Sequence, residues 1–200
     1  VALLGMFVFA RRHMSDIAAG VSAVTYATSA YMGTEIFVRG NLAEVWFLAI
    51  FPLVLWSVDR YIRLKHVRSL ASMSVCIALM LLAHNALSLL GAVSILIYIL
   101  SYRDIKAFSG LVLGGLLTAA HTLPAVLELG TTYASKVAQQ TVYGDHFLCP
   151  RQIWDSPIGY AGSVPGCVDG MSFQIGKVLI VLGIFGVGAW VFRIIRYKTV

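Results

Sequence analysis

The chain reads as an all-α, polytopic membrane protein with about seven membrane runs and one long irregular outer loop. Three observations lead there. The composition is 59% hydrophobic and only 12% charged, where soluble domains carry about 25% charged residues. Apolar stretches near the roughly 18–20 residues that span a bilayer recur along the chain. The basic residues fall in short clusters between those stretches, as in loops that obey the positive-inside rule. That distribution argues against nucleic acid as a partner, although the net charge is +6.

The runs lie at about 1–10, 17–38, 42–58, 70–87, 89–102, 107–128 and 176–192. The first, VALLGMFVFA, is apolar before Arg11 and Arg12. It reads as the tail of a spanning helix, since a signal peptide carries its charges first, and the chain is expected to be a fragment with this run truncated. Six runs then form a transmembrane bundle at 1–128. Residues 129–175 form an extracytoplasmic loop, and 176–200 a final transmembrane helix with a cytoplasmic basic end. If each run crosses once, Arg11, Arg12, Arg60, Arg63, Lys65, Arg68, Arg103, Lys106, Arg193, Arg196 and Lys198 face the cytoplasm. Of the 15 basic residues that leaves Arg39, Lys136, Arg151 and Lys177 outside, a bias that supports this orientation.

Residues 70–102 are few for two crossings. A single long helix would invert everything after it and put RIIRYK outside, so the charge bias favours two short helices bending at His84–Ser88. Ala19, Ala23, Ala27 and Ala30 recur at three- and four-residue spacing, and Gly110 and Gly114 form a G-x-x-x-G. Small residues let helices approach closely in lipid, so both patterns predict packing before ligand contact.

FVRGNLAEVWF, residues 37–47, sets charges within apolar sequence. Glu35 and Arg39 are four residues apart and share a helix face. Gly40 suits a helix end in the left-handed region. Asn41 suits the next N-cap, with Glu44 three residues on as in a capping box. One reading is a plain outer hairpin. In the other, Arg39 is held by Glu35 at the interface and binds the phosphate of a lipid-linked substrate bidentately.

The 47-residue loop divides in two. TTYASKVAQQTVYGDHFL is expected to be partly helical at the interface. CPRQIWDSPIGYAGSVPGCVDGMSFQIG, rich in Gly and Pro, predicts compact turns, with Trp154, Tyr160 and Phe173 packing on one another or on headgroups. Cys76 lies in a membrane run and reads as a packing residue. Cys149 and Cys167 bracket the turns and are expected to bridge in an oxidising compartment, with free thiols as the alternative. His84, His121 and His146, with Glu128, Asp145 and Asp169, match no ligand spacing, so no metal site is expected. His84 with Asn85 reads as satisfying backbone groups at the bend, and Glu128 as an interfacial residue at a helix end. Around Ser163 the flanking glycines of a nucleophile elbow are replaced by Ala161 and Pro165. No Walker or dinucleotide motif occurs, and no cofactor is expected.

YMGTEIFVRGNLAEVWFLAIFPLVLW resembles the bacterial and archaeal membrane family labelled 6-pyruvoyl-tetrahydropterin synthase-related. The resemblance rests on R-G-x-x-A-E (Arg39, Gly40, Ala43, Glu44) and Pro52. It is extended by LLAHNALSLLG, HTLPAVLELG and the loop stretch QIWDSPIGYAGSVPGCVDGMSFQIG. The family pattern has an aromatic at Ile158 and a glycine at Ala161. The resemblance implies the GT-C-like group of polytopic glycosyltransferases, which take a sugar from a polyprenyl-phosphate donor at the outer membrane face. It also implies an acidic catalytic residue in a first outer loop ahead of this chain, so no catalytic residue is assigned here. The candidate phosphate- or substrate-binding residues are Glu35, Arg39, Glu44, His84, Asn85 and Glu128. The expected partners are membrane lipids and a lipid-linked sugar. Two other classes compete: a transporter or flippase of lipid-linked saccharides, and a non-catalytic structural membrane protein. A transporter should show broken helices or paired ionisable residues near mid-membrane.

Overall fold

A computed structural model describes residues 1–133, 136, 137 and 142–198. The helices are α1 (Ala2–Ala10), α2 (Asp16–Ala27), α3 (Ala30–Thr34), α4 (Leu42–Leu64), α5 (Val67–Ala83), α6 (Asn85–Ser101), α7 (Phe108–Leu127), α8 (Pro150–Trp154) and α9 (Lys177–Lys198). A π-helical turn covers Glu35–Arg39, and short 3-10 turns cover Ile105–Ala107, Leu129–Thr131 and Tyr143–His146. Among the described residues there is no strand, only an isolated antiparallel bridge between Tyr160 and Met171.

The all-helical class therefore stands, with two corrections. Among the described residues only two helices are long and apolar enough to cross a membrane, Leu42–Leu64 and Ile105–Leu127; Val67–Ala83, Asn85–Ser101 and Lys177–Ala189 are apolar but shorter. The expectation of about seven membrane runs is thus met by two on length and composition. Second, the run 17–38 is not one helix. It stops at Ala27, and Ser29 caps a new start by accepting from the Met32 N–H at 3.4 Å. Hydroxyl residues inside a helix compete for backbone groups, and here that competition breaks it. The alanine stripe is split as a result, with Ala30 beyond the break.

The described chain forms two compact units: Val1–Ala27 with Asn41–Thr141, and Thr28–Gly40 with Val142–Val200. In the first unit α4 packs on α1, α5 and α6, and α5 packs on α7. Phe47, Val54, Val58 and Tyr61 of α4 meet Met73, Ile77 and Met80 of α5 and Ile95 and Ile99 of α6. The α5–α7 seam needs its glycines. A Cβ on Gly114 would stand 2.5 Å from Ile77 Cγ2, and one on Gly110 would stand 2.7 Å from Met73 Cε. Ala19 and Ala23 are fully buried on α2, which packs on α1.

Two breaks in helical hydrogen bonding in this unit are repaired by side chains. Pro52 inside α4 has no N–H, so the Leu48 carbonyl, four residues earlier, loses its helical donor. The Tyr26 hydroxyl of α2 donates to that carbonyl at 2.7 Å. Between α5 and α6 the chain is extended at His84. Its Nδ1 accepts from the Leu87 N–H at 3.2 Å, and the Ser88 hydroxyl donates to the Met80 carbonyl at 2.7 Å. End groups that a helix leaves unpaired are thereby satisfied. The expected bend at His84–Ser88 is present.

In the second unit, Cys149 and Cys167 are joined as a disulfide with Cα atoms 5.6 Å apart. Gln152, buried on α8, accepts from the Cys149 N–H at 2.9 Å and donates to Asp169 at 3.0 Å. Gly159 and Gly170 allow the loop strands to touch, since a Cβ on either would lie within 2.4 Å of a carbonyl oxygen. Trp154 and Tyr160 are exposed, so of the two settings expected for these aromatics the mutually packed one is not formed by this pair. Much of the stretch expected to be helical at 131–148 lies outside the described residues.

Candidate functional site

Three polar groupings stand out, and two of them hold residues singled out from the sequence. The first is on the π-helical turn. Glu35 is fully buried, and Arg39 Nη1 donates to its Oε1 at 2.5 Å while the Arg39 side chain stays about one-third exposed, at 35%. Gly40 ends the turn in the left-handed conformation, with its N–H on the Glu35 carbonyl. π-turns recur at functional sites. A buried carboxylate clamping a partly exposed guanidinium gives a planar cation of fixed orientation, suited to an oxyanion that accepts from it through two oxygens, such as phosphate.

The second grouping is at one end of the first unit. Asn41 caps α4: its Oδ1 accepts from the Glu44 N–H at 3.3 Å, and its Nδ2 donates to Glu44 Oε1 at 2.7 Å. Glu44 Oε1 lies 3.7 Å from His84 Nε2, at ion-pair rather than hydrogen-bond range. Because His84 Nδ1 is an acceptor, the ring hydrogen is assigned to Nε2, facing the carboxylate. Asn85 begins α6 directly after His84. Glu128 is exposed and caps the end of α7, its carbonyl accepting from the Thr131 N–H at 2.9 Å.

The third grouping was not read from the sequence. Asp59 of α4 is fully buried and accepts from Arg12 Nη1 at 2.7 Å and Arg63 Nε at 3.0 Å. Arg12 and Arg60 also lie over the Trp56 ring, 5.4 and 5.3 Å from its centre. Lys65 and Asp104 pair at the same end of this unit. The Asp59–Arg63 spacing was a visible signal, but Arg12 is 47 residues away and nothing local announces it. These contacts clamp α1 to α4.

In the stapled loop Asp169 also accepts from the Ser156 hydroxyl at 2.7 Å and from Arg151 at 3.0 Å. The Ser156 hydroxyl, then the Gln152 amide, hold its carboxyl below the usual carboxylate range. This is a structural hub, since Ser156 also accepts from the Phe173 N–H at 3.0 Å. Among the described residues no group of three or more His, Cys, Asp or Glu is arranged to hold a metal.

A family model described as "6-pyruvoyl-tetrahydropterin synthase related domain; membrane protein" matches residues 1–155. The chain belongs to this family. The 6-pyruvoyl-tetrahydropterin synthase related match contains the Glu35–Arg39 turn, the Asn41–Glu44–His84 grouping and Glu128, and it ends ahead of most of the stapled loop. It makes the chain a membrane protein. Neither a curated protein nor a solved structure matches the chain.

Proposed function

We propose that this family member is part of a multi-pass membrane enzyme that transfers a sugar from a polyprenyl-phosphate donor, with residues 129–175 on the extracytoplasmic side. The observation that carries the reading is the Arg39 guanidinium, partly exposed and oriented by the buried Glu35. Such a group can take two oxygens of a phosphate at once. The end-by-end sorting of polar groups in the first unit supports alternating crossings. Arg12–Asp59 and Lys65–Asp104 gather at one end of α4, and Asn41, Glu44 and His84 at the other.

The test is a transfer assay with the full-length protein in liposomes and a labelled polyprenyl-phosphate hexose. Arg39→Lys should lower turnover about tenfold or more, because lysine keeps the charge but loses the planar fork. Parental turnover in Arg39→Lys, with Arg39→Ala only lowering protein abundance, would reduce Arg39 to a structural residue. A carrier for lipid-linked saccharides is the second reading, favoured by the break at Thr28–Ser29 and the ionisable pair just beyond it. The same liposomes, supplied with an acceptor alcohol, separate the two. Transfer breaks the bond from the sugar's anomeric carbon to the phosphate oxygen, joins that carbon to the acceptor hydroxyl oxygen and releases polyprenyl phosphate, whereas a carrier moves the donor intact.

A further inference from the structure

A cleft of about 320 Å³ lies inside the second unit, between the 28–38 segment and residues 158–174 of the cystine-closed loop. None of the residues lining it is charged. Phe37 and Tyr160 contribute aromatic rings and are 78% and 80% exposed, so neither is consumed by the core. Besides Tyr160, five lining side chains are neutral and polar: Thr28, Ser29, Thr34, Ser172 and Gln174. The Thr34 hydroxyl donates to the Ala30 carbonyl at 3.0 Å, and the Ser172 hydroxyl to the Ser156 carbonyl at 2.9 Å, so both present lone pairs. The Ser29 hydroxyl accepts from the Met32 N–H at 3.4 Å and has its hydrogen to donate. Gln174 adds an amide that does both.

This chemistry selects its occupant. An ionised headgroup would meet no countercharge on these walls. A hydrocarbon chain would cover the Gln174 amide and the spare lone pairs of the hydroxyls with groups that neither donate nor accept, at a cost. A sugar ring has an apolar C–H face for an aromatic ring and hydroxyls that both donate and accept. The volume is at the small end of ligand sites, roughly 300–1,000 Å³. We infer that this cleft binds a neutral saccharide ring, stacked on Tyr160 and hydrogen-bonded by Gln174. The inference rests on the proposed function in taking a sugar as the cargo, and its test uses glycosides that carry no phosphate.

Saturation-transfer NMR on the full-length protein, in a detergent without a sugar headgroup, would use methyl glucoside, methyl mannoside, methyl galactoside and methyl N-acetylglucosaminide as probes. At least one probe should receive saturation on its ring protons. Tyr160→Ala should weaken its binding about fivefold, the scale of one lost aromatic contact. Gln174→Ala should weaken it too, while Tyr160→Phe keeps it. Tyr160 is exposed, so its truncation leaves the fold intact, which an unbroken cystine by mass spectrometry would verify. Saturation of none of the probes would overturn the inference, as would parental binding in both Tyr160→Ala and Gln174→Ala. Arg39→Lys should leave glycoside binding unchanged. Probe binding with unimpaired donor turnover in Arg39→Lys would keep the cleft and remove Arg39 from the proposed function.

Discussion

At the scale of single residues, the chain answers local defects with specific side chains. The Leu48 carbonyl stripped by Pro52 is met by the Tyr26 hydroxyl. Tyr26→Phe keeps the ring and removes that donor, leaving a carbonyl with no helical partner in an apolar setting. The expected loss is about 1–3 kcal/mol, read as a lower midpoint in thermal unfolding of the detergent-solubilised protein. Pro52→Ala restores the N–H and should make Tyr26→Phe nearly silent, so the pair forms a double-mutant cycle. Asp169 gives a second residue-scale test. Its folded carboxyl titrates below the ordinary 3.8, so its contribution is present above that value and is lost as pH falls further toward the folded value. Hydrogen-exchange protection across 150–176, taken relative to the intrinsic rate at each pH, should therefore be steady from neutral pH down to about 4 and fall below it. Asp169→Asn should abolish that acid step.

At the scale of elements, the α5–α7 seam is set by glycine size. Gly114→Ala drives a Cβ into Ile77 and to 3.1 Å from the Ser74 carbonyl oxygen, neither of which is a flexible chain end. It should cost about 1–3 kcal/mol of stability. Gly115→Ala meets nothing within 4 Å, and should be neutral or gain up to about 1 kcal/mol from helix propensity. Unfolding followed by far-UV circular dichroism would rank the two; equal stability would remove the seam as a close-packed contact. The same scale shows what was legible. Gly40 ending one element, Asn41 capping the next and the turn at His84 are all visible in short spacings, because capping acts within one helical turn. The break at Thr28–Ser29 was missed, because apolar residues continue on both sides and no glycine or proline marks it, leaving the Ser29 cap as its one local signal.

For the whole molecule, the question is which segments share a side of the membrane. Gly144 and His66 are both exposed, and a Cβ on Gly144 meets nothing within 4 Å. With residues 129–175 outside, Gly144→Cys in intact cells should react with a membrane-impermeant maleimide and His66→Cys should not. Equal labelling of both from the outside would end the proposed orientation. The cystine belongs to the same question. The sequence favoured a bridge between Cys149 and Cys167 over free thiols, and their Cα separation of 5.6 Å lies within disulfide range. Closing a loop of 18 residues removes roughly 3 kcal/mol of unfolded-chain freedom in the entropy model. Mass spectrometry of unreduced protein should find the bridge intact when the loop faces an oxidising space.

The sequence by itself determined the helical class, the apolar runs, the Glu35–Arg39 face and the ends of the elements around Gly40 and His84. Each follows from hydrophobic period, spacing or capping, whose physical reach is one or two turns of chain. Only the tertiary structure decided that Arg12 clamps Asp59, that Tyr26 serves the carbonyl exposed by Pro52, and that residues 28–40 group with residues 142–200. It also decided that, among the described residues, two helices, not seven, have the length and apolarity to cross a bilayer. Those outcomes depend on which surfaces meet across tens of residues. That choice is made by packing and by the need to pair buried polar groups, and no local pattern encodes it.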